Sequence, residues 1–362
     1  MQPAVAEEIR KHAASFMRIV KDSPVLDVYA YSHYYVMDAI TGHVYGPSGT
    51  KTLTETEHRP LVYDLSGQKH RTRLYLHHYL KSPMAAISTV SSLWRRFRTG
   101  NDAFHVRGDR LNAYGRDSVE SARSTLSDKN STDVCSKLLR VTGNCPQTAA
   151  ECMDHMVAGV DTTGDALCVL MWQLSLPESR HIQEKLFEEL RSVESAFDAE
   201  TMTAPITLLD SLPYLDAVIR EGLRWRAPVP MTLFRVVPHG GRTISGVPIP
   251  AQTVVGCQAY SIHQLPDVFE APDRFVPDRW LTEDQEKLNA MRAHFWPFSS
   301  GARHCLGHNI AMVEMKHLIA SVYTYYKTST TPECTEASMA MDDQLTSGVP
   351  YGLKCVLAFE KR

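Results

Sequence analysis

The chain has 362 residues, of which 43% are hydrophobic and 22% carry a charge, and its formal net charge is −3 at pH 7. This composition is enough for one large core or two smaller ones, and the charge gives no reason to expect a nucleic-acid partner. The eight cysteines contain no C-x-x-C pair, which favours reduced thiols in a cytosol-facing protein over a zinc framework. The N-terminus lacks the apolar core of a signal peptide and lacks a membrane-spanning segment.

Apolar residues at three- and four-residue intervals predict a helical first half. Helices are expected near residues 4–20, 24–45, 65–98, 104–128 and 147–176. Two further helices are expected near 178–194 and 211–226, the second ending before Pro228.

Short β-type runs follow at Thr232–Val237, Thr243–Ser245 and Thr253–Gln258, so the sequence predicts a small sheet. Residues 265–304 form a long irregular segment with a helical piece near 282–292, and such segments are usually functional. The end of the chain predicts a helix over 306–326 and a closing β-hairpin over Gly348–Phe359. The predicted fold class is therefore mainly α with a small β-sheet, in a single domain over residues 1–362.

The segment FSSGARHCLG over residues 298–307 places Cys305 immediately before an apolar helix. The positive end of the helix dipole and nearby backbone N–H groups favour the thiolate there. Gly301 and Gly307 carry no Cβ, so the backbone can turn tightly and lie against a flat ligand. Arg303 can offer a planar pair of donors to a carboxylate. These features together indicate the proximal face of a haem, and the alternative is a small buried cysteine.

A second motif lies in the long helix over 147–176, where Ala158 and Thr162 share one face. Small Ala158 and Gly159 leave room for a diatomic ligand, and Thr162 can bond to the carbonyl four residues back. Asp161 supplies a protonatable group, and an acid beside a hydroxyl suits proton delivery to oxygen. The alternative is that packing tolerates Gly159 and Thr162 while Asp161 faces solvent.

A third group combines Glu221 and Arg224, which are three residues apart on one helical turn. An exposed pair of this kind would contribute about 0–1 kcal/mol. The apolar residues around the pair predict burial instead, and buried charges need partners. Arg279, in the segment Phe275–Trp280, is available as a third member.

The patterns F-x-x-G-x-R-x-C-x-G at 298–307 and A-G-x-D-T-T at 158–163 resemble those of the cytochrome P450 family. The resemblance extends from about Leu26 to the C-terminus, and it is strongest with the eukaryotic, fungal microsomal branch of secondary metabolism. It implies haem b with Cys305 as the axial thiolate ligand and iron as the metal.

The resemblance also implies roles for the other residues. Phe298 would pack against the sulfur side of the ring, and Arg235 occupies the position where many relatives contact a haem propionate. Asp161 and Thr162 would relay protons. Glu221, Arg224 and Arg279 would lock their helix to the irregular segment beneath the haem loop.

By this resemblance the protein is a monooxygenase that inserts one atom of O2 into a small apolar organic substrate, an intermediate of secondary-metabolite biosynthesis. The sequence has no glycine-rich dinucleotide fingerprint after a strand, so electrons would come from an external NADPH-cytochrome P450 reductase or cytochrome b5. A positive surface around the cysteine loop would suit docking of an acidic reductase domain. Its predicted members are Arg292, His294, Arg303, His304, His308, Lys316 and His317.

The sequence departs from the family pattern in its N-terminal part. Relatives begin with a membrane anchor, the first helices, half of the small sheet and a W-x-x-x-R helix that clamps haem, and we expect these parts to be absent here. Trp94–Arg98 resembles the clamp but lies too close upstream of Asp161 to be assigned to it. The endoplasmic reticulum membrane is the expected location for the family, although we expect no anchor in this chain. Two alternatives stay open: a truncated, weakly active or inactive remnant, and a P450-fold isomerase or dehydratase, against which the Asp161–Thr162 pair argues.

Overall fold

The computed structural model describes residues 3–66, 106–124, 133–143, 145–343 and 348–362, and helices account for most of them. The helices in chain order are α1 Pro3–Asp22, α2 Val28–Tyr45, α3 Arg59–Ser66, α4 Val106–Ser124, α5 Val134–Thr142, α6 Cys145–Ser175, α7 Arg180–Arg191, α8 Ile206–Leu209, α9 Pro213–Trp225, α10 Ala259–His263, α11 Gln285–Ala293 and α12 His308–Tyr325. The predicted class, mainly α with small antiparallel sheets, is confirmed.

The strands form small antiparallel sheets. In chain order the strands are β1 Val25–Asp27, β2 Thr232–Val236, β3 Arg242–Ile244, β4 Val247–Ile249, β5 Val254–Gln258, β6 Tyr326–Thr330, β7 Met341–Asp343, β8 Gly348–Pro350 and β9 Val356–Lys361. In the described part of the chain β1, β9 and β6 form a three-stranded sheet, and β2 pairs with β5, β3 with β4, and β7 with β8.

The closing hairpin expected over Gly348–Phe359 is wrong. β8 pairs with β7, in the register Met341↔Pro350, while β9 lies between β1 and β6. The start of β9 is held at β1 because the Cys355 N–H donates to Asp27 Oδ1 at 2.9 Å and the Cys355 carbonyl accepts from Val28 N at 2.7 Å. These contacts separate the two halves of the predicted hairpin into different sheets.

Helix α6 packs closely along α2 because glycines lie at the crossing. A Cβ on Gly159 would lie 2.9 Å from Ile40 Cγ1, and one on Gly164 would lie 2.8 Å from His33 Cδ2. Real Cβ atoms do not approach this closely, so a larger residue at either position would push the helices apart. Much of the space expected beside Gly159 is therefore filled by Ile40.

Helix α12 runs through the main core, and each of its residues from Val313 to Thr324 is buried. It packs against α1, α6, α7, α8 and α9. Its N-terminus emerges from this core directly after the loop that carries Cys305. The packing therefore fixes the position from which that loop is presented.

Candidate active site

The loop over residues 298–307 is closed by a backbone hydrogen bond from Cys305 N to Phe298 O, at 2.9 Å. Within it, a 3₁₀ turn spans Gly301–Arg303, and Gly301 has a φ of +66°. A Cβ on Gly301 would meet no described atom within 4 Å. Glycine is favoured here by the left-handed backbone conformation and not by crowding. The loop leaves the Cys305 side chain exposed on the wall of a cavity.

This cavity has a volume of about 490 Å³, which is within the usual range for small-molecule sites. Helices α2, α6 and α12, strand β2 and the cysteine loop all contribute to its wall. Most of the described lining side chains are apolar, among them Ile40, Val44, Ala158, Leu233 and Ile310. An apolar organic molecule would be desolvated in such a cavity.

Two aromatic rings, tilted by 35° to each other, lie in contact next to Cys305. The Phe298 ring lies against the His308 ring, with centroids 4.1 Å apart, and both Phe298 and Arg303 line the cavity. A Cβ on Gly307 would lie 3.8 Å from the sulfur, an ordinary contact distance. The structure therefore brings Phe298, Arg303, Cys305 and Gly307 to the same wall.

Arg235 lies on β2, where its guanidinium is exposed and donates to the Phe234 carbonyl at 2.7 Å. It does not belong to the described lining of the cavity. Leu233, two residues earlier, does line it, and alternate residues of a strand share a face. Arg235 thus follows a lining residue on the same strand face, at the edge of the cavity.

Asp161 and Thr162 lie on different sides of α6. The Thr162 hydroxyl donates to the Ala158 carbonyl at 2.9 Å, as the sequence predicts, and Thr162 lines the cavity. The Asp161 carboxylate accepts from Ser66 Oγ at 2.6 Å and is not part of the described cavity wall. Asp161 and Thr162 are adjacent in the sequence, but only Thr162 lies on the described cavity wall.

The structure brings Glu221, Arg224 and Arg279 together in the protein interior. The side chains of Glu221 and Arg224 are completely buried, and Arg279 is 7% exposed. Arg224 Nε and Nη2 donate to the two Glu221 oxygens at 3.0 and 2.8 Å, and Arg279 Nε donates to Oε1 at 3.1 Å.

Further donors and acceptors complete this buried group. The Trp280 indole N–H and the Val276 backbone N–H both donate to Glu221, each at 2.9 Å. Arg224 also donates to three backbone carbonyls, those of His263, Pro272 and Arg274. The group therefore ties α9 to the irregular segment that precedes the cysteine loop.

His263 connects this segment to the loop itself. Its Nε2 accepts from the Trp296 backbone N–H at 2.9 Å, and its ring stacks on Phe295 with centroids 5.9 Å apart. Burial, together with the charge of Arg224, lowers the pKa of His263 from 6.5 to about 4. At neutral pH the imidazole is therefore uncharged, so its Nε2 can accept the hydrogen bond from the Trp296 backbone N–H.

A sequence model of one protein family matches residues 1–352, which is nearly the whole chain, and its description is cytochrome P450. The chain belongs to the cytochrome P450 family.

This P450 is similar to curated fungal proteins of the same family. It is 38% identical to a cytochrome P450 monooxygenase of Penicillium terrestre over 197 residues, which are 54% of this chain and 37% of that protein. It is 30% identical to one of Phaeosphaeria nodorum over 265 residues, 71% of this chain and 48% of that protein. It is 36% identical to averantin hydroxylase of Dothistroma septosporum over 173 residues, 47% of this chain and 31% of that protein. In each case the match covers less than half of the relative's length.

Members of the family hold haem through a cysteine thiolate, and the residues of this P450 fit such a group. The described residues contain no cluster of three or more His, Cys, Asp or Glu side chains that could hold a metal ion. The apolar cavity beside the sulfur suits the ring, and Arg303 on the wall suits a propionate.

The positive surface expected around the cysteine loop is smaller in this P450 than the sequence suggests. Lys316 is 8% exposed and pairs with Asp210 and Asp216 at 3.0 and 3.2 Å. His317 is completely buried, and burial lowers its pKa to about 4. Both belong to α12 and face its packed neighbours, so neither contributes to the surface. Arg292, Arg303 and His304 are exposed, and His294 and His308 are half-buried.

Sequence reasoning missed several polar residues of the site, among them Glu314 on the cavity wall and His263, which contacts the segment before the cysteine loop. Glu314 lies on α12 nine residues after Cys305, lines the cavity and is 2% exposed. A carboxyl group inside an otherwise apolar helical stripe was the available signal, because burying one is costly. His263 had no local signal, since its partner Trp296 is 33 residues away.

The Trp94–Arg98 segment lies outside the described residues. Within the ranges that the structure describes, no helix combines the length and apolar character needed to cross a lipid bilayer.

Proposed function

We propose that this P450 binds haem b through the Cys305 thiolate and acts as a monooxygenase on a small apolar organic substrate. The observation that carries the proposal is the exposed Cys305 sulfur on the wall of an apolar cavity, in a loop whose turn is built around Gly301. Haem, when bound there, supplies the binding and reductive activation of O2. One oxygen atom enters the substrate and the other is released as water.

The protein's own residues hold and orient the group. Arg303 on the cavity wall and Arg235 on β2 serve as the cationic partners of the haem propionates, and the contacting Phe298 and His308 rings support the sulfur side. The buried Glu221, Arg224 and Arg279 side chains act structurally, because they fix the segment that leads into the loop. The apolar wall excludes water from the substrate.

Thr162 and Asp161 handle protons in this proposal. The Thr162 hydroxyl is in the cavity and already bonds to the Ala158 carbonyl, in the part of α6 where oxygen would bind. Asp161 holds its carboxylate on the far side of the same helix turn, against Ser66. A proton from Asp161 would therefore reach Thr162 only through intervening water or a backbone shift.

The external partner is an NADPH-cytochrome P450 reductase, with cytochrome b5 as an alternative electron donor, at the cytosolic face of the endoplasmic reticulum. Arg292 and Arg303 give the exposed positive charge around the loop that an acidic partner would contact, and the exposed His304 side chain lies beside Arg303. One similar protein is named averantin hydroxylase. This supports hydroxylation of an intermediate in secondary-metabolite biosynthesis as the reaction.

The test is the spectrum of the protein after supply with haemin, reduction and addition of carbon monoxide. We expect the long-wavelength Soret band of a thiolate-bound haem, and we expect Cys305→Ala to abolish it. Cys257→Ala, which removes a half-buried cysteine elsewhere, is the matched control and should keep the band. A colourless wild type, or a band that survives in Cys305→Ala, would refute the proposal.

A further inference from the structure

Two histidines on the cavity wall take no part in the proposed oxygen chemistry. His43 of α2 and His155 of α6 both line the cavity, and both are half-buried. Neither imidazole makes a hydrogen bond or an ion pair within the described part of the chain. Each can therefore offer a hydrogen bond to a molecule that occupies the cavity.

The crossing of α2 and α6 brings these histidines together. The glycine contacts of the crossing pair later residues of α6 with earlier residues of α2, so the two helices run antiparallel. His155 lies four residues before Gly159, and His43 lies three residues after Ile40, which contacts Gly159. Residues three and four apart share a helix face, so both histidines lie one turn from this contact in the same direction. They form a pair on one part of the wall, here called the histidine end.

The histidine end is separated from the part of α6 where oxygen would bind. His155 precedes Thr162 by seven residues, and both line the cavity. Seven residues are about two turns of a helix, or about 10 Å along its axis. Ala158 lies between them and also lines the cavity, so the wall between the two positions carries a small apolar side chain. A ligand that reaches both positions must therefore span about 10 Å.

Helix α5 adds a positive charge near the histidine end. It packs against both α2 and α6, and its first residue, Val134, lines the cavity. Lys137, one turn further along α5, is exposed and forms no ion pair with a described residue. Asp133 is the acid of this region, but its Oδ1 accepts from the Ser136 backbone N–H at 2.7 Å and caps the helix. The surroundings therefore favour a negatively charged ligand group over a positive one.

The protonation state of His43 suits a hydrogen bond to such a group. Burial lowers its pKa, as do the charges of Lys137 and His155, and Asp133 opposes them. At neutral pH the ring is therefore uncharged and has one N–H to donate. A carboxylate has two acceptor oxygens, so two imidazoles side by side can each donate to it.

We propose that His43 and His155 bind a carboxylate of the substrate, about 10 Å from the carbon that is oxidised. The substrate is then an organic acid with an apolar body, and oxidation takes place at the end remote from the acid. This inference rests on the proposed function, to which it adds the substrate class and the position of attack.

The first test is isothermal titration calorimetry of the haem-loaded protein with 6-phenylhexanoic acid and with its methyl ester. The extended acid places its ring at a comparable distance from the carboxylate. We expect the acid to bind about tenfold more tightly than the ester, because a hydrogen bond to a charged group contributes roughly that factor. Equal binding of acid and ester by the wild type would overturn the proposal.

The double variant His43→Phe/His155→Phe keeps the ring volume but has no N–H to donate. We expect it to bind the acid about as weakly as the ester, with little change for the ester. His181→Phe is the matched control, because His181 is exposed on α7, outside the described cavity wall, and should keep the preference for the acid. An equal loss of affinity for both ligands in the double variant would contradict carboxylate recognition.

Single variants cover the case in which the double variant does not fold. His43→Phe and His155→Phe should each lose part of the preference for the acid. His155→Gln supplies an N–H donor again and should regain some of it. A preference that is unchanged in both single phenylalanine variants would refute the role of the pair.

Product analysis tests the position of attack. With NADPH-cytochrome P450 reductase and O2, we expect 6-phenylhexanoic acid to be hydroxylated on the phenyl half, and hydroxylation next to the carboxylate would overturn the proposal. Absence of the thiolate Soret band would refute the proposed function instead. Calorimetry with the haem-free chain would then still decide whether the histidine end prefers the acid.

Discussion

Replacement of Glu221 by glutamine should strongly destabilise this P450. The carboxylate accepts five hydrogen bonds, from Arg224 (two), Arg279, Trp280 and the Val276 backbone. Glutamine removes the negative charge and turns one acceptor into a donor that faces these donors. Arg224, whose side chain is completely buried, would keep its three backbone carbonyl partners and at most one of its two side-chain acceptors.

The expected loss follows from the burial of this pair. Removing one partner of a buried ion pair typically costs about 3–5 kcal/mol, because the other charge stays desolvated. Domains are stable by only about 5–15 kcal/mol, so the variant should lose a large part of the free energy of unfolding. The assay is urea unfolding followed by tryptophan fluorescence, with the midpoint compared at constant slope.

The chain offers a matched control with the same spacing. Glu188 and Arg191 are also three residues apart on a helix, but their side chains are 65% and 62% exposed. Glu188→Gln should change the free energy of unfolding by no more than about 1 kcal/mol. If Glu221→Gln costs as little as Glu188→Gln, the buried group contributes no net stability and the reasoning is wrong.

Two other outcomes are expected. Thr162→Ala removes the hydroxyl that lines the cavity, so we expect more hydrogen peroxide per NADPH consumed than in wild type, and an unchanged ratio would remove its role in proton delivery. The pKa of His263 is about 4 in the folded protein against 6.5 for an ordinary histidine, so the unfolded chain binds more protons between these pH values. Stability should therefore fall as pH decreases from 6.5 to 4, by up to about 3 kcal/mol for this residue. We expect His263→Gln to make the free energy of unfolding, measured by urea unfolding, less dependent on pH. The buried His317, whose pKa is also lowered to about 4, should still contribute a similar dependence. An equally steep slope in the variant would contradict the assignment.

The sequence predicted the segments whose signals are local. The expected helices at 147–176 and 211–226 correspond to Cys145–Ser175 and Pro213–Trp225, because apolar periodicity and prolines mark both. Strand β1 was missed, since the sequence favoured a helix from residue 24. Its partner β9 lies at the other end of the chain, and Asp27 and Cys355, which connect the two, are 328 residues apart.

The candidate site was likewise predictable only where its signals are local in the sequence. Motif spacing predicted Cys305 as the candidate ligand and predicted the buried contact of Glu221 with Arg224 and Arg279, which the structure shows. It could not say which face of α6 would meet the cavity. That face depends on how α2 and α6 cross, and the crossing places Thr162 on the wall and Asp161 against Ser66. Glu314 was missed although it interrupts an apolar helical stripe, and the structure shows that this position of α12 is buried.

Helix α12 has a consequence for how this P450 would respond to substitutions far from the cavity. Cys305 lies three residues before the helix, whose residues from Val313 to Thr324 are buried in the core. A substitution in the core that tilted the helix would therefore also displace the Cys305 sulfur. Such a variant would shift the position of the proposed haem without any replacement at the cavity wall.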